Sequence, residues 1–300
     1  MHALMRACVA VLLVGACQAL VRPGRIVGGE PVPEGDAMWQ VSVQTRTGAH
    51  FCGGTLISDE WVVTAAHCSV NFKAGAVQVA YGGNTLDSMK AVVPVSRIIV
   101  HERYDPNSMV NDIALLQMAP SARSSRSGTP IPLETREDLG EENCRVTGFG
   151  RLSSGGQVAD RLMGVWVPLR SLEDCIKDFL PETYALTDGH VCAGGGREDA
   201  CQGDSGGPLV CCNQNSTLRS DECNLVGVVS WGIGCATPGK PGVYTKVAHY
   251  KSWIEENIGG SVGDMEVTNA GGDITPSYKS NKKFKAKISK SKIRAEQTKP

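Results

Sequence analysis

Trp61-Val-Val-Thr-Ala-Ala-His-Cys68 begins as a strand and ends on a histidine. Trp, Val and Thr suit a pleated, half-buried surface, and the run is too short for a helix. Similar β-branched runs flank it: Trp39-Gln-Val-Ser-Val-Gln44, Ala76-Val-Gln-Val-Ala-Tyr81, Ala91-Val-Val-Pro-Val95, Arg97-Ile-Ile-Val100, Ile113-Ala-Leu-Leu116 and Leu225-Val-Gly-Val-Val229. Clusters of Gly, Asn, Asp, Ser and Pro separate them, and the 35 glycines suit a chain with many turns. Many short strands with turn signals between them predict an all-β fold of antiparallel sandwiches or barrels and argue against βαβ units. One helix is predicted, His249 to Ile258. There Tyr250, Trp253, Ile254 and Ile258 share a face, and Gly259-Gly260 stops it.

The ends of the chain read differently from this body. Arg6 precedes an apolar run, Ala7 to Ala16, and Cys17 and Ala19 are small residues suited to positions −3 and −1 of a signal-peptidase cut. The expectation is a signal peptide over 1–19, with a buried N-terminal strand and a lipoprotein signal ending at Cys17 as the alternatives. The run is too short to span a bilayer. Residues 20–25 read as a short link ending in Arg25, and 26–258 as a continuous body with a Ser/Pro/Arg-rich joint near 119–132. Residues 259–300 read as a disordered Lys-rich tail. Net charge is −1, but 279–300 carry +8 and the rest of the chain −9, so the average describes neither part. Signal removal would take two of the twelve cysteines and leave ten. An even, dispersed set in an exported chain reads as disulfides, and no His cluster at zinc-ligand spacing accompanies Cys201, Cys211 or Cys212. The expected location is extracellular.

Three residues far apart suggest chemistry. Ser205 lies in Gly203-Asp-Ser-Gly-Gly-Pro208. A serine hydroxyl needs a base to become a nucleophile, and flanking glycines let backbone N–H groups turn toward a developing oxyanion. A lone Gly-rich serine is usually an ordinary loop, so Ser205 points to chemistry only with partners. His67 follows a predicted strand. Asp112 opens another, where a carboxylate needs a paired donor such as a histidine N–H.

Ile26-Val-Gly-Gly29, Thr64-Ala-Ala-His-Cys68, Asp112-Ile-Ala-Leu-Leu116, Asp199-Ala-Cys-Gln-Gly-Asp-Ser-Gly-Gly-Pro208, Ser230-Trp-Gly232 and Pro241-Gly-Val-Tyr-Thr-Lys-Val247 together resemble the trypsin/chymotrypsin-like serine proteases, in their order, over 26–258. The resemblance implies two packed antiparallel six-stranded β-barrels with a short C-terminal helix. It implies His67, Asp112 and Ser205 as the catalytic triad, with the N–H groups of Gly203 and Ser205 as the oxyanion hole. It places Asp199 at the base of the specificity pocket and Ala200, Gly232 and Gly242 along it, which implies cleavage after Arg or Lys. Ala200 lacks a hydroxyl that could solvate a lysine ammonium, whereas arginine can still form a fork with Asp199, so Arg is expected to be favoured. Arg25-Ile26 resembles a zymogen activation cut, after which the Ile26 ammonium would pair with Asp204. Implied partners are protein or peptide substrates, an activating trypsin-like protease and protein protease inhibitors. No cofactor is expected.

The resemblance also implies disulfides Cys52–Cys68, Cys144–Cys211, Cys175–Cys192 and Cys201–Cys235. That leaves Cys212 and Cys223, which bracket a hairpin-like loop and either join or stay free. Asn215-Ser-Thr217 in that loop is a glycosylation sequon. The loop after Tyr81 carries only Asp87 as an acid, too little for the oxygen ligands calcium wants, so no metal is expected there. The basic tail is read either as a solvated extension or as an anchor for a polyanion, and export of the chain argues against nucleic acid as that partner. The rival functional class is an inactive homologue acting as a binding module.

Overall fold

The computed structural model describes residues 29–120, 127–151, 159–181, 185–196, 200–212, 218–260 and 262. The signal, link and tail segments, the sequon and Asp199 lie outside these residues.

Six strands make the first barrel: β2 (Gln40–Thr45), β3 (His50–Leu56), β4 (Trp61–Thr64), β5 (Val77–Tyr81), β6 (Ala91–Val100) and β7 (Ala114–Met118). They close in the order β2-β3-β4-β7-β6-β5, all antiparallel. Closure pairs both edges of every strand. Period-two burial runs along β6, where Ala91, Val93 and Val95 point inward and Val92 and Pro94 outward. The two runs read separately on either side of Ser96 are thus one strand of ten residues. Its register shifts between Val95 and Arg97, next to a proline that cannot donate to the ladder.

The second barrel contains β8 (Asn143–Gly148), β9 (Met163–Arg170), β10 (His190–Ala193), β11 (Pro208–Cys212), β12 (Cys223–Trp231) and β13 (Gly242–Lys246). The order β9-β10-β13-β12-β11-β8 is closed by pairing of β8 with β9. A two-residue strand, β1 (Glu30–Pro31), adds to β9. The architecture is therefore the expected pair of six-stranded antiparallel barrels.

Helices are few. A single turn, α1 (Ala66–Ser69), follows β4. Before α2 (Leu172–Asp178), Ser171 caps the helix by accepting from the Asp174 N–H. The terminal helix α3 (Val247–Ile258) begins two residues earlier than its sequence periodicity indicates and ends at Gly259, which is left-handed at φ 80°. Its Tyr250 and Ile254 are buried.

Within the connection from β7 to β8, Ile131 is buried and its N–H donates to the Leu56 carbonyl. That end of the joint is packed onto the first barrel. Between the barrels, the Gly53 N–H donates to the Ser205 carbonyl at 2.8 Å, and Thr245 Oγ1 donates to the Asp112 carbonyl at 2.7 Å. These two bonds bring the chemistry-bearing loops together.

Candidate active site

His67 sits on α1, and Asp112 lies two residues before β7 with no solvent exposure. The Asp112 carboxylate accepts three hydrogen bonds. Oδ1 takes the His67 backbone N–H at 2.9 Å, and Oδ2 lies 2.8 Å from His67 Nδ1 and takes the Ser230 hydroxyl at 2.5 Å. A buried carboxylate is tolerable when its lone pairs are filled this way. Because Asp112 can only accept, the proton lies on Nδ1, and the neutral ring presents a lone pair at Nε2. The imidazole is fixed in position and tautomer by one residue, and that residue is held from the second barrel by Ser230.

Cys68 Sγ bridges the two halves of the site. It lies 3.6 Å from His67 Nε2 and 3.7 Å from the Ser205 carbonyl oxygen. The loop between β10 and β11 carries Ser205, whose hydroxyl makes no hydrogen bond to a described residue. The neighbouring turn is tight. Gly206, at φ +78°, donates to the Val229 carbonyl, and a Cβ there would fall 2.2 Å from Thr64 Oγ1. Gly203 has φ +97°. Among the described residues, neither its N–H nor that of Ser205 has an acceptor. Two adjacent unclaimed donors beside a hydroxyl are what a developing oxyanion needs.

Gly203 is held by a residue that the sequence did not single out. His50 Nε2 lies 3.1 Å from the Gly203 carbonyl, and Nδ1 lies 2.8 Å from Ser42 Oγ, which accepts from Gln44 Nε2 at 3.1 Å. Burial pushes the His50 pKa below its usual value, against the raising effect of the Gly203 carbonyl. The neutral ring fits both partners, with Nε2–H donating and Nδ1 accepting. Asp204 is fully buried and accepts from the N–H groups of Gly150 at 2.8 Å and Cys201 at 2.9 Å.

Beside Ser205 lies a cavity of about 110 Å³, lined in part by Ala200, Ser230, Trp231, Gly232 and Gly242. A Cβ on Gly232 would meet nothing closer than the Gly242 Cα at 4.0 Å, so the absence of side chains leaves an entrance. Asp199, Arg25, Ile26 and Asn215 fall outside the described residues.

Among the described residues, five disulfides join Cys52–Cys68, Cys144–Cys211, Cys175–Cys192, Cys201–Cys235 and Cys212–Cys223. The ligand atoms of Cys52, His67 and Cys68 cluster within 4.8 Å, but both sulfurs are spent in a disulfide and offer no thiolate to a metal. Asp87 is exposed, in the turn Leu86–Ser88.

Ser230 and Thr245, the residues that fix Asp112, lie inside recognisable sequence blocks. Their role was not visible there, because each bond spans more than a hundred residues.

A protein-family model described as Trypsin matches residues 26–254. The chain belongs to the trypsin family. Curated relatives agree. Serine protease 56 of Homo sapiens is 40% identical over 245 residues, which span 79% of this chain and 39% of that protein. Trypsin Blo t 3 of Blomia tropicalis is 39% identical over 244 residues, 79% of this chain and 87% of the relative. Serine protease 1 of Rattus norvegicus is 38% identical over 262 residues, 85% and 99% respectively. As a trypsin-family member the chain is a serine endopeptidase, a hydrolase of peptide bonds. No helix among the described residues is long and apolar enough to cross a membrane.

Proposed function

We propose that the protein is secreted as a zymogen, is activated by cleavage at Arg25-Ile26, and then cuts peptide chains after arginine and more slowly after lysine. The observation that carries this reading is the fixed His67–Asp112 pair beside Ser205, with two unclaimed N–H donors and an open cavity.

In this reading His67 Nε2 takes the proton of Ser205 Oγ as the oxygen attacks the scissile carbonyl. The carbonyl oxygen becomes an anion, received by the Gly203 and Ser205 N–H groups. Such donors contribute about 3–4 kcal/mol each to transition-state stabilisation. His67, now protonated, is stabilised by Asp112 and returns the proton to the leaving amine. Water then repeats the sequence on the acyl-enzyme, releasing the acid and restoring Ser205.

Asp199, six residues before Ser205, supplies the carboxylate that draws a cationic side chain through the opening at Gly232 and Gly242. With Ala200 beside it, only arginine brings enough donors to satisfy that carboxylate in a fork. Activation frees the Ile26 ammonium to pair with buried Asp204, which orders the Gly203–Ser205 turn. Secretion follows from the N-terminal apolar segment. Asn215 carries an N-glycan. The Lys-rich tail provides an anchor for a polyanion. Protein inhibitors block the site by occupying the same cavity.

Matched peptides that differ only in Arg or Lys before the cut bond test the specificity, using protein cleaved after Arg25. kcat/KM is expected to be several-fold higher for Arg, and equal or Lys-favoured rates would contradict this specificity. N-terminal sequencing that finds Ile26 in the active species tests the activation step, and full activity of the uncut chain would contradict that part.

A further inference from the structure

Asp112 is held at its carboxylate and at its carbonyl, but the backbone that delivers it is bent against its own preference. Among the described residues, four that are not glycine have left-handed backbone. Two of them, Met109 at φ 58° and Asn111 at φ 59°, lie within the three positions before Asp112. Asparagine tolerates that region, and methionine enters it rarely. Such a conformation persists only where the surroundings impose it. Part of the constraint is local. The Met109 N–H donates to the Asp105 carbonyl at 2.8 Å, and the Asp105 N–H donates to the Val110 carbonyl at 3.1 Å. Asn111 Nδ2 donates to the Arg103 carbonyl at 2.7 Å. These bonds close the turn on itself but do not fix where it sits.

Two buried side chains from distant parts of the sequence fix its place. Tyr250, on α3, donates its hydroxyl to Asn111 Oδ1 at 3.0 Å. Burial pushes the Tyr250 pKa up to about 12, so the hydroxyl keeps the proton that it donates. Its ring meets His101 edge-on, with centroids 5.4 Å apart, and has little freedom to turn. His190, on β10, is the second. It pairs across the sheet with Thr245, whose hydroxyl binds the Asp112 carbonyl. Its Nδ1 accepts the Thr187 N–H at 3.1 Å, which leaves the proton of the neutral ring on Nε2. The Met109 carbonyl is a backbone acceptor for this ring. Burial is the largest influence on His190 and lowers its pKa. The Met109 and Thr187 carbonyls and Asp112 act the other way, and His249 adds to the lowering.

We propose that Tyr250 and His190 are positioning residues for the catalytic aspartate, Tyr250 acting through Asn111 and His190 through Met109. Together they hold the strained segment where Asp112 meets His67 Nδ1. This rests on the reading of His67, Asp112 and Ser205 as the reacting groups and adds two residues outside them. Without either restraint the left-handed pair relaxes, the backbone before Asp112 shifts, and the His67 ring loses its fixed direction. A misplacement of about 1 Å costs up to about a hundredfold in rate, and loss of one restraint out of several is expected to cost about threefold to tenfold. The loss falls on kcat, because the interaction serves the transition state and not substrate binding.

The test uses full-length protein cleaved after Arg25 and a peptide substrate with arginine before the cut bond. Active-site titration counts competent molecules, so lost folding does not register as lost kcat. Tyr250→Phe removes only the hydroxyl and keeps the packing of the ring. His190→Asn places its amide near the Nδ1 end and His190→Gln near the Nε2 end, so only the glutamine can still donate to the Met109 carbonyl. Tyr250→Phe and His190→Asn are each expected to lower kcat by about threefold to tenfold, with KM within about twofold of the parent. His190→Gln is expected to regain most of that loss. The proton resonance of the His67–Asp112 hydrogen bond, assigned by its loss in Asp112→Asn, is expected to shift or broaden in the first two variants and to return in His190→Gln. A merely structural role would lower the unfolding temperature and leave the titrated kcat and this resonance unchanged. That result in Tyr250→Phe or in His190→Asn would overturn the proposal, as would equal losses in His190→Asn and His190→Gln. Hydrolysis that survives in Ser205→Ala would instead overturn the reading beneath it, and the proposal with it.

Discussion

At the scale of single residues, the site depends on Asp112 keeping one orientation. Its carboxylate receives bonds from His67 and Ser230, and its carbonyl receives one from Thr245. Ser230→Ala removes a hydroxyl donor to a buried charge, which costs about 1.5–3 kcal/mol of stability. The same change lets the carboxylate turn. Titrated enzyme is therefore expected to show kcat lower by about tenfold, with KM little changed. A variant with parent kcat would show that His67 alone orients Asp112.

His50 supplies a second prediction at this scale. Its pKa is lowered by burial, so the folded state holds fewer protons on this ring than the unfolded state near its ordinary value of 6.5. Stability tied to the neutral ring is complete above about pH 6.5 and is lost as pH falls toward the lower folded value. Thermal unfolding from pH 7 to pH 5 should therefore show a shallower decline in His50→Gln than in the parent. His101 and His190 are also lowered by burial and remain in both proteins, so the difference between the curves isolates His50. Parallel curves would contradict the assignment.

At the scale of elements, the Cys212–Cys223 disulfide ties the end of β11 to the start of β12, where the two cysteines are also cross-strand partners. The sequence separation is 11, and closing so short a loop contributes about 2–3 kcal/mol. The double change Cys212→Ser, Cys223→Ser should lower unfolding stability by that amount. This hairpin end is remote from His67 and Ser205 in topology, so kcat of the folded fraction should stay within about twofold. A loss of activity larger than the loss of folded protein would place this hairpin end in the active machinery.

The elements also show what sequence can and cannot reveal. β2, β4, β5 and β7 are short β-branched runs, and α3 has a helical apolar face, so all five were legible. β3 was not. Its His-Phe-Cys-Gly-Gly-Thr-Leu carries two glycines that weaken the strand signal; it is a strand through its pairing with β2 and β4, and the glycines are there because a Cβ on Gly53 would meet Gly207 and one on Gly54 would meet Val62. Ser205, His67 and Asp112 were recognisable from their local blocks. The supports of the site, His50, Ser230 and Thr245, were not, because each acts on a residue more than a hundred positions away, and Ser42 matters only through His50.

At the scale of the whole molecule, the first barrel brings His67 and Asp112 and the second brings Ser205, Ser230 and the cavity. Neither barrel holds a complete site. This junction is expected to activate Ser205 alone among the serines of the chain. The most direct measurement treats the protein cleaved after Arg25 with a serine-directed phosphonate and maps the adduct by peptide mass spectrometry. One adduct is expected, on Ser205, formed in proportion to the loss of peptide hydrolysis and absent from Ser205→Ala. An adduct on another serine, or hydrolysis that survives in Ser205→Ala, would contradict it.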